Sequence, residues 1–508
     1  MAFLALFALT IPLFKQRLQV PKISLPLLLL MFVPLLQCAT GELFFFSKAL
    51  VSSCYIFAFW LSIVVAYNLS LAEQRPTLFA AFCELVLYVA ALSGVIAVFQ
   101  WLTIDQYFPG FMADLRSGRP YANFAQPNNM ATFLILGVLS ALYLYERKQL
   151  ALGWLIPSVA VILFAIALSQ SRTSWVALLC IVIYMGYQRY RGLLHIHWRS
   201  IALCAISFVA FLWLIPQVST VFAEALDAPI KAVDLARRAT GDMSRMAIWN
   251  QMLHAIAAEP WWGYGWHQTS VAYTLISDTV QGPVWIKSAH NFVLDFALWN
   301  GLVIAVPFLA YFAYWMLRLH LNIRSLESVV AMLMLGAILT HAMLEFPLLY
   351  AYFLLPFGFL IGVLQAQKDG ACWSWSPRFT QLSFVVGAVI MLAIHRDYVV
   401  VGPKLSQSIK YDDPAKWTNN KPIYLLSEFD RRIAWVRLNP YTHVSPEHIQ
   451  QIDEMVLNYP IPYDLLKYAR LLAYNGYEQE AKHQLLRLKL LRDLNVSYES
   501  LIEEQPKP

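Results

Sequence analysis

The chain has 508 residues, of which 59% are hydrophobic and only 13% charged, with a mean hydropathy of +0.54. A soluble domain carries roughly 25% charged and about 45–50% apolar residues, so a water-soluble globule is excluded and a polytopic membrane protein indicated. The formal net charge of +6 is distributed over many loops, which argues against a nucleic-acid partner.

Apolar runs predict spans near 1–14, 23–40, 44–69, 78–102, 128–146, 150–169, 171–188, 200–218, 290–317, 327–349, 351–366 and 380–401. The runs are continuous rather than alternating, so the expected fold class is an all-α polytopic membrane protein of about 12 transmembrane helices, not a barrel. Lys15/Arg17/Lys22, Arg147/Lys148, Arg189/Arg191/Arg199 and Arg318/Arg324 fall in alternate connections, which the positive-inside rule makes cytoplasmic. Residues 103–127, a large loop at 219–289 between spans 8 and 9, and the tail therefore lie outside, which is the periplasm in a Gram-negative cell. The first run, Met1–Phe14, is short and would start outside, and it lacks the basic start and cleavage site of a signal peptide. A preceding helix missing from this chain, or a start further upstream, is expected.

Two regions follow: a transmembrane domain at 1–402, with 219–289 as its outer loop, and a helical tail at 403–508. The tail holds fourteen basic and fourteen acidic residues, so it is no polybasic lipid binder. Its segment 463–491 predicts two amphipathic helices joined at Asn475-Gly476, similar to one tetratricopeptide-type hairpin. A packed helical cap on the outer face is the plainer alternative. The six cysteines show neither a disulfide framework nor a zinc-like spacing.

Several polar groups collect on the outer side. "YANFAQPNNMATFL" (121–134) puts Gln126 at a helix entrance, where capping is the simple reading. Arg172 lies in "SQSRTSW" (169–175), a tight turn between two spans, as either a snorkelling side chain or a functional charge. Arg245 opens an amphipathic helix carrying Met246, Trp249, Met252, Leu253 and Ile256, with Asp242 or Ser244 as its cap. Glu259-Pro260 ends that helix and "WWGYGW" follows as an aromatic turn, either a membrane belt or the frame of an anion site. "WIKSAHNFVLDFALWNG" (285–301) stands at the threshold of a span, where His290 is structural or takes a proton, and Asn291 can orient it. "HAMLEFPLLYAYF" (341–353) places His341 and Glu345 four apart on one helix face, followed by Tyr350 and Tyr352. No Asp-x-Asp motif occurs in an outer loop, so a metal-independent site without a cofactor is expected.

Taken in order, "SRTSW", "SRMAIW", "EPWWGYGW" and "HNFVLDFALWNGL" resemble the O-antigen ligase/polymerase superfamily of membrane glycosyltransferases, which are GT-C-like in fold. With "YANFAQPNN" before them and "HAMLEFPLLYAYF" after, the chain is similar to the PglL-type protein O-oligosaccharyltransferases over roughly residues 20–400. The resemblance implies a multi-pass protein of the bacterial inner membrane whose active site faces the periplasm. Its donor would be an oligosaccharide on undecaprenyl pyrophosphate and its acceptor a Ser or Thr hydroxyl of a periplasmic protein, with pilin a candidate. It further implies that Arg172 and Arg245 meet pyrophosphate, that His290 is essential, and that Gln126 and a tyrosine, Tyr350, serve the substrate with Asn291 and Glu345. One departure stands: the family often has an acidic residue just before the glycine, where this chain has Trp299-Asn300. A lipid A-core O-antigen ligase and a Wzy-type polymerase share this chemistry. A lipid-linked sugar transporter would instead require internal symmetry, and no such repeat is visible.

Overall fold

The computed structural model describes residues 2–71, 75–115, 118–226, 244–280, 285–368, 370–410 and 421–504. Helices dominate them. Eight are long and apolar enough to cross a bilayer: Lys22–Thr40, Phe46–Leu71, Pro76–Trp101, Pro127–Glu146, Leu152–Ser169, Trp198–Phe222, Phe292–Leu321 and Pro377–Lys410. Phe3–Leu13, Leu326–Ala342 and Ala351–Gln365 are shorter apolar helices. Arg172–Tyr190 forms a further helix whose Ser171 cap accepts from the Ser174 N–H.

Close helix packing needs small residues at the contacts, because lipid supplies no hydrophobic drive between helices. Gly358 and Gly362 provide them: a Cβ at Gly358 would meet Ser62 Oγ at 2.0 Å, and one at Gly362 would meet the Ile63 carbonyl oxygen at 2.3 Å. The helix Ala351–Gln365 therefore lies directly on Phe46–Leu71, with the fully buried Trp60, Phe353 and Phe357 in the common core.

The basic connections meet one another at one end of the bundle. Arg147 reaches Glu327 at 3.9 Å, and Tyr143 donates to the same carboxylate at 3.2 Å. At that end Leu18–Pro21 pairs antiparallel with Cys372–Trp375. This short ribbon, which joins two connections far apart in sequence, is a local addition to an otherwise helical fold, as the all-α expectation had it.

A correction concerns the predicted span 290–317. The helix Phe292–Leu321 is broken at Gly301, whose φ of 62° and ψ of 171° are not helical. The rings of Phe296 and Phe308 stack 5.1 Å apart. In a straight helix residues twelve apart would be about 18 Å from one another. The element is an elbow of two arms. The predicted span 327–349 is likewise shorter, its helix ending at Ala342.

The tail has its own core, built on Trp435, Leu465, Tyr468, Leu472 and Leu488. The expected hairpin is present as Pro462–Tyr474 and Glu478–Arg492, turning at Asn475 and the left-handed Gly476. The tail also grips the outer loop: His483 lies 2.5 Å from Asp278, and the Arg492 guanidinium sits over the Trp285 ring.

Candidate active site

Three segments, those of Asn128, Arg245 and His290, converge on one carboxylate. Glu345, just past the end of its helix, has a side chain only 5% exposed. Its Oε1 accepts from Arg245 Nη2 and, at 3.0 Å, from Asn128 Nδ2. Its Oε2 lies 2.7 Å from His290 Nδ1. A carboxylate only accepts, so His290 carries its proton on Nδ1 and turns Nε2 outward as the basic nitrogen. The side chains of Arg245 and His290 remain 26% and 28% exposed, so the cluster opens to solvent on their side.

The chain of contacts continues through a residue that sequence reasoning passed over. Arg119 donates from Nη2 to Asn128 Oδ1 at 3.3 Å and from Nε to the Ser169 carbonyl at 2.8 Å. Ser169 ends one helix and Arg172 begins the next after a left-handed Gln170, so Arg119 ties the Arg172 turn to the Glu345 cluster. Arg119 sits in an outer loop, a position the positive-inside rule disfavours; that was the available signal.

The other residues singled out in the sequence lie around this cluster. Gln126 is the N-cap position of Pro127–Glu146, and its Nε2 reaches Asn129 Oδ1 at 3.4 Å. Asn129 in turn donates to the Tyr352 hydroxyl at 2.9 Å. Tyr350 stands beside Tyr352, and its ring stacks on Phe346 at 6.2 Å. Asn291 is the N-cap of the elbow, its Oδ1 accepting from the N–H groups of Val293 and Leu294. It therefore orients His290 through the backbone. His341 does not pair with Glu345 as the four-residue spacing suggested. The helix stops at Ala342, and the buried His341 ring meets the edge of Phe353 without a hydrogen-bond partner among the described residues.

Arg245 stands on the first turn of Ser244–Ala258. Asp242 as its cap lies outside the described residues. Trp249 of that helix donates to the Ala289 carbonyl at 3.0 Å, which places the arginine beside His290. The aromatic turn is stitched into the elbow. Tyr264 and Gly265 donate backbone N–H bonds to the carbonyls of Leu298 and Trp299, and Leu302 donates to Pro260. Side chains cannot fit there, since a Cβ on Gly301 would meet the Trp261 carbonyl oxygen at 2.1 Å.

Inside the elbow lies an apolar cavity of about 350 Å³, walled by Phe59, Trp266, His267, Phe296, Phe308 and Phe346. It adjoins the cluster, because the Phe346 ring meets the His290 ring at 5.1 Å. His267 faces the cavity, and burial among protein atoms, aided by the Lys48 charge, pushes its ring down to about 4. The site thus joins Arg245, a histidine held by a carboxylate and an apolar chamber, with the Arg172 turn tied to it through Arg119. Among the described residues no three His, Cys, Asp or Glu side chains gather as metal ligands.

Comparison with known proteins gives three family matches: O-antigen ligase at residues 157–309, the C-terminal part of a virulence factor membrane-bound polymerase at 329–491, and a protein glycosylation ligase at 120–145. A general O-oligosaccharyltransferase of Acinetobacter baylyi is 39% identical over 98% of this chain and 88% of its own length. A ComP-specific O-oligosaccharyltransferase of the same organism is 25% identical over 93% of this chain and 86% of its own.

Proposed function

From the premise that the chain belongs to the O-oligosaccharyltransferases, membrane enzymes of protein glycosylation, we propose that Glu345, His290, Arg245 and Arg172 form its transfer site. The donor in this reading is an oligosaccharide on undecaprenyl pyrophosphate, and the acceptor a Ser or Thr hydroxyl of a periplasmic protein such as pilin. The observation that carries it is the convergence of Arg245, His290 and Asn128 on the single Glu345 carboxylate.

His290 Nε2 takes the acceptor proton while the acceptor oxygen bonds to the anomeric carbon. The bond from that carbon to the phosphate oxygen breaks, and undecaprenyl pyrophosphate leaves with the electron pair. Arg245 and Arg172 stabilise the negative charge growing on the leaving oxygen. Arginine suits this task because its planar fork matches phosphate oxygens, and one N–H spent on Glu345 leaves four others. Glu345 holds the imidazole tautomer and balances its charge after proton transfer. Gln126, Tyr350 and Asn291 frame the substrate entrance, and the first isoprene units of the donor enter the elbow cavity. In this reading twelve passes cross the bacterial inner membrane, the shorter apolar helices and Arg172–Tyr190 included. The cluster, the outer loop and the tail then face the periplasm.

The test is glycan transfer in cells that supply one undecaprenyl-pyrophosphate-linked oligosaccharide together with a pilin and lipid A-core. Modified pilin supports the proposal. Modified lipid A-core alone would replace the protein acceptor with a lipopolysaccharide one.

A further inference from the structure

His290 has a φ of 53°, in the left-handed region. For a residue with a Cβ this backbone conformation is strained. Such a conformation persists only where its surroundings over-determine it. Here the surroundings centre on a second buried carboxylate, Asp295, one turn into the elbow helix. Its Oδ2 accepts from the Ser288 hydroxyl at 2.5 Å, and its Oδ1 from the Ala289 N–H at 2.8 Å and the Thr269 hydroxyl at 2.7 Å. Ser288 Oγ in turn accepts the His290 N–H at 3.0 Å. Trp299 Nε1 donates to Thr269 Oγ1 at 2.7 Å, which directs the threonine proton onto Asp295.

Asp295 is not needed to cap its helix, because Asn291 already serves the N–H groups of Val293 and Leu294. Its neighbours Phe292, Phe296 and Trp299 line the apolar cavity. An apolar wall is a costly place for a carboxylate unless donors compensate it. All three donors lie on, or just ahead of, the turn that carries His290, or on the helix that braces it.

We propose that Asp295 is a positioning residue for glycan transfer: through Ser288 and Ala289 it holds the 288–290 turn in the one conformation that lets His290 reach Glu345. This rests on the role of His290 proposed above. Asp295 forms part of the cavity wall, and its hydrogen bonds go to Ser288, Ala289 and Thr269 rather than to the imidazole. It sets the backbone angle from which the ring departs.

The test uses the purified full-length protein in lipid nanodiscs, with the undecaprenyl-pyrophosphate-linked oligosaccharide and pilin as substrates. Asp295→Asn keeps the size but sets an NH₂ against a donor, and it lowers kcat about 100-fold, the cost of a misplaced base. The donor KM stays near the wild-type value, because Asn keeps the shape of the cavity wall and the arginines are untouched. Ser288→Ala spares two of the three Asp295 bonds but also removes the acceptor of the His290 N–H, and it lowers kcat about tenfold or more, the worth of one to two hydrogen bonds. The double variant is no worse than Asp295→Asn alone, as residues on one path do not add. His290→Ala is run alongside. If it is inactive while Asp295→Asn and Ser288→Ala turn over like wild type, the positioning role is overturned and the role of His290 stands. An active His290→Ala overturns the reading beneath both. Less folded protein with unchanged kcat per folded molecule also overturns the positioning role. Should Asp295→Asn fail to fold, Ser288→Ala decides alone by the same kcat criterion.

Discussion

Glu345 Oε2 and His290 Nδ1 lie 2.7 Å apart, joining residues separated by 55 positions of chain. Replacing that acceptor with an amide removes the charge and offers a donor to a donor. Glu345→Gln should therefore lower transfer by roughly 10²–10⁴-fold, the range a positioned proton acceptor contributes. The measurement is kcat on purified protein at matched abundance. Retention of more than half the wild-type rate would mean that Glu345 only packs.

Arg172→Lys and Arg245→Lys should each lose most transfer at normal membrane levels. A point charge does not reproduce a bidentate fork, and lysine at 245 cannot hold Glu345 and phosphate in one plane. Wild-type rates in both would assign the two arginines to anchoring at the interface.

His267 supplies a pH test with a definite sign. Its ring is pushed from an ordinary 6.5 down to about 4. Between those values the unfolded chain binds the proton and the folded protein does not, so this residue makes stability fall as pH drops from 6.5 toward 4. His267→Phe should flatten that decline in a melting-temperature series. An unchanged decline in His267→Phe would mean that the cavity histidine does not set it.

Chelation by EDTA should leave transfer by the purified enzyme unchanged, because in the proposed site cationic arginines take the place of a divalent ion against phosphate. Inhibition reversed by added Mg²⁺ or Mn²⁺ would refute this.

Much of the frame was legible in the sequence, because its signals are local. Hydropathy located the long helices, and Asn475-Gly476 announced the hairpin. The charges Arg172, Arg245 and His290 drew attention by standing on the side where basic residues are scarce. Partner choice was not legible. Glu345 sits four residues after His341, and helix periodicity pairs them, yet the helix ends first and the carboxylate turns to His290 instead. Arg119 and Asp295 act through contacts made only in three dimensions. The break at Gly301 was hidden as well, since hydropathy does not register a backbone angle and the apolar run continues through it.

That break separates two tasks which a straight helix would couple. Below Gly301 the arm 302–321 has 20 residues, about 30 Å at 1.5 Å each, close to the thickness of a hydrocarbon core. Above it, the arm that begins beside His290 is fastened to the aromatic turn by backbone hydrogen bonds rather than to lipid. Hydrophobic mismatch acts on the lower arm alone, which can tilt to suit a thinner or thicker bilayer. The distance between His290 and Glu345 is then insulated from lipid chain length, and the enzyme can work across membranes of changing composition without retuning its site.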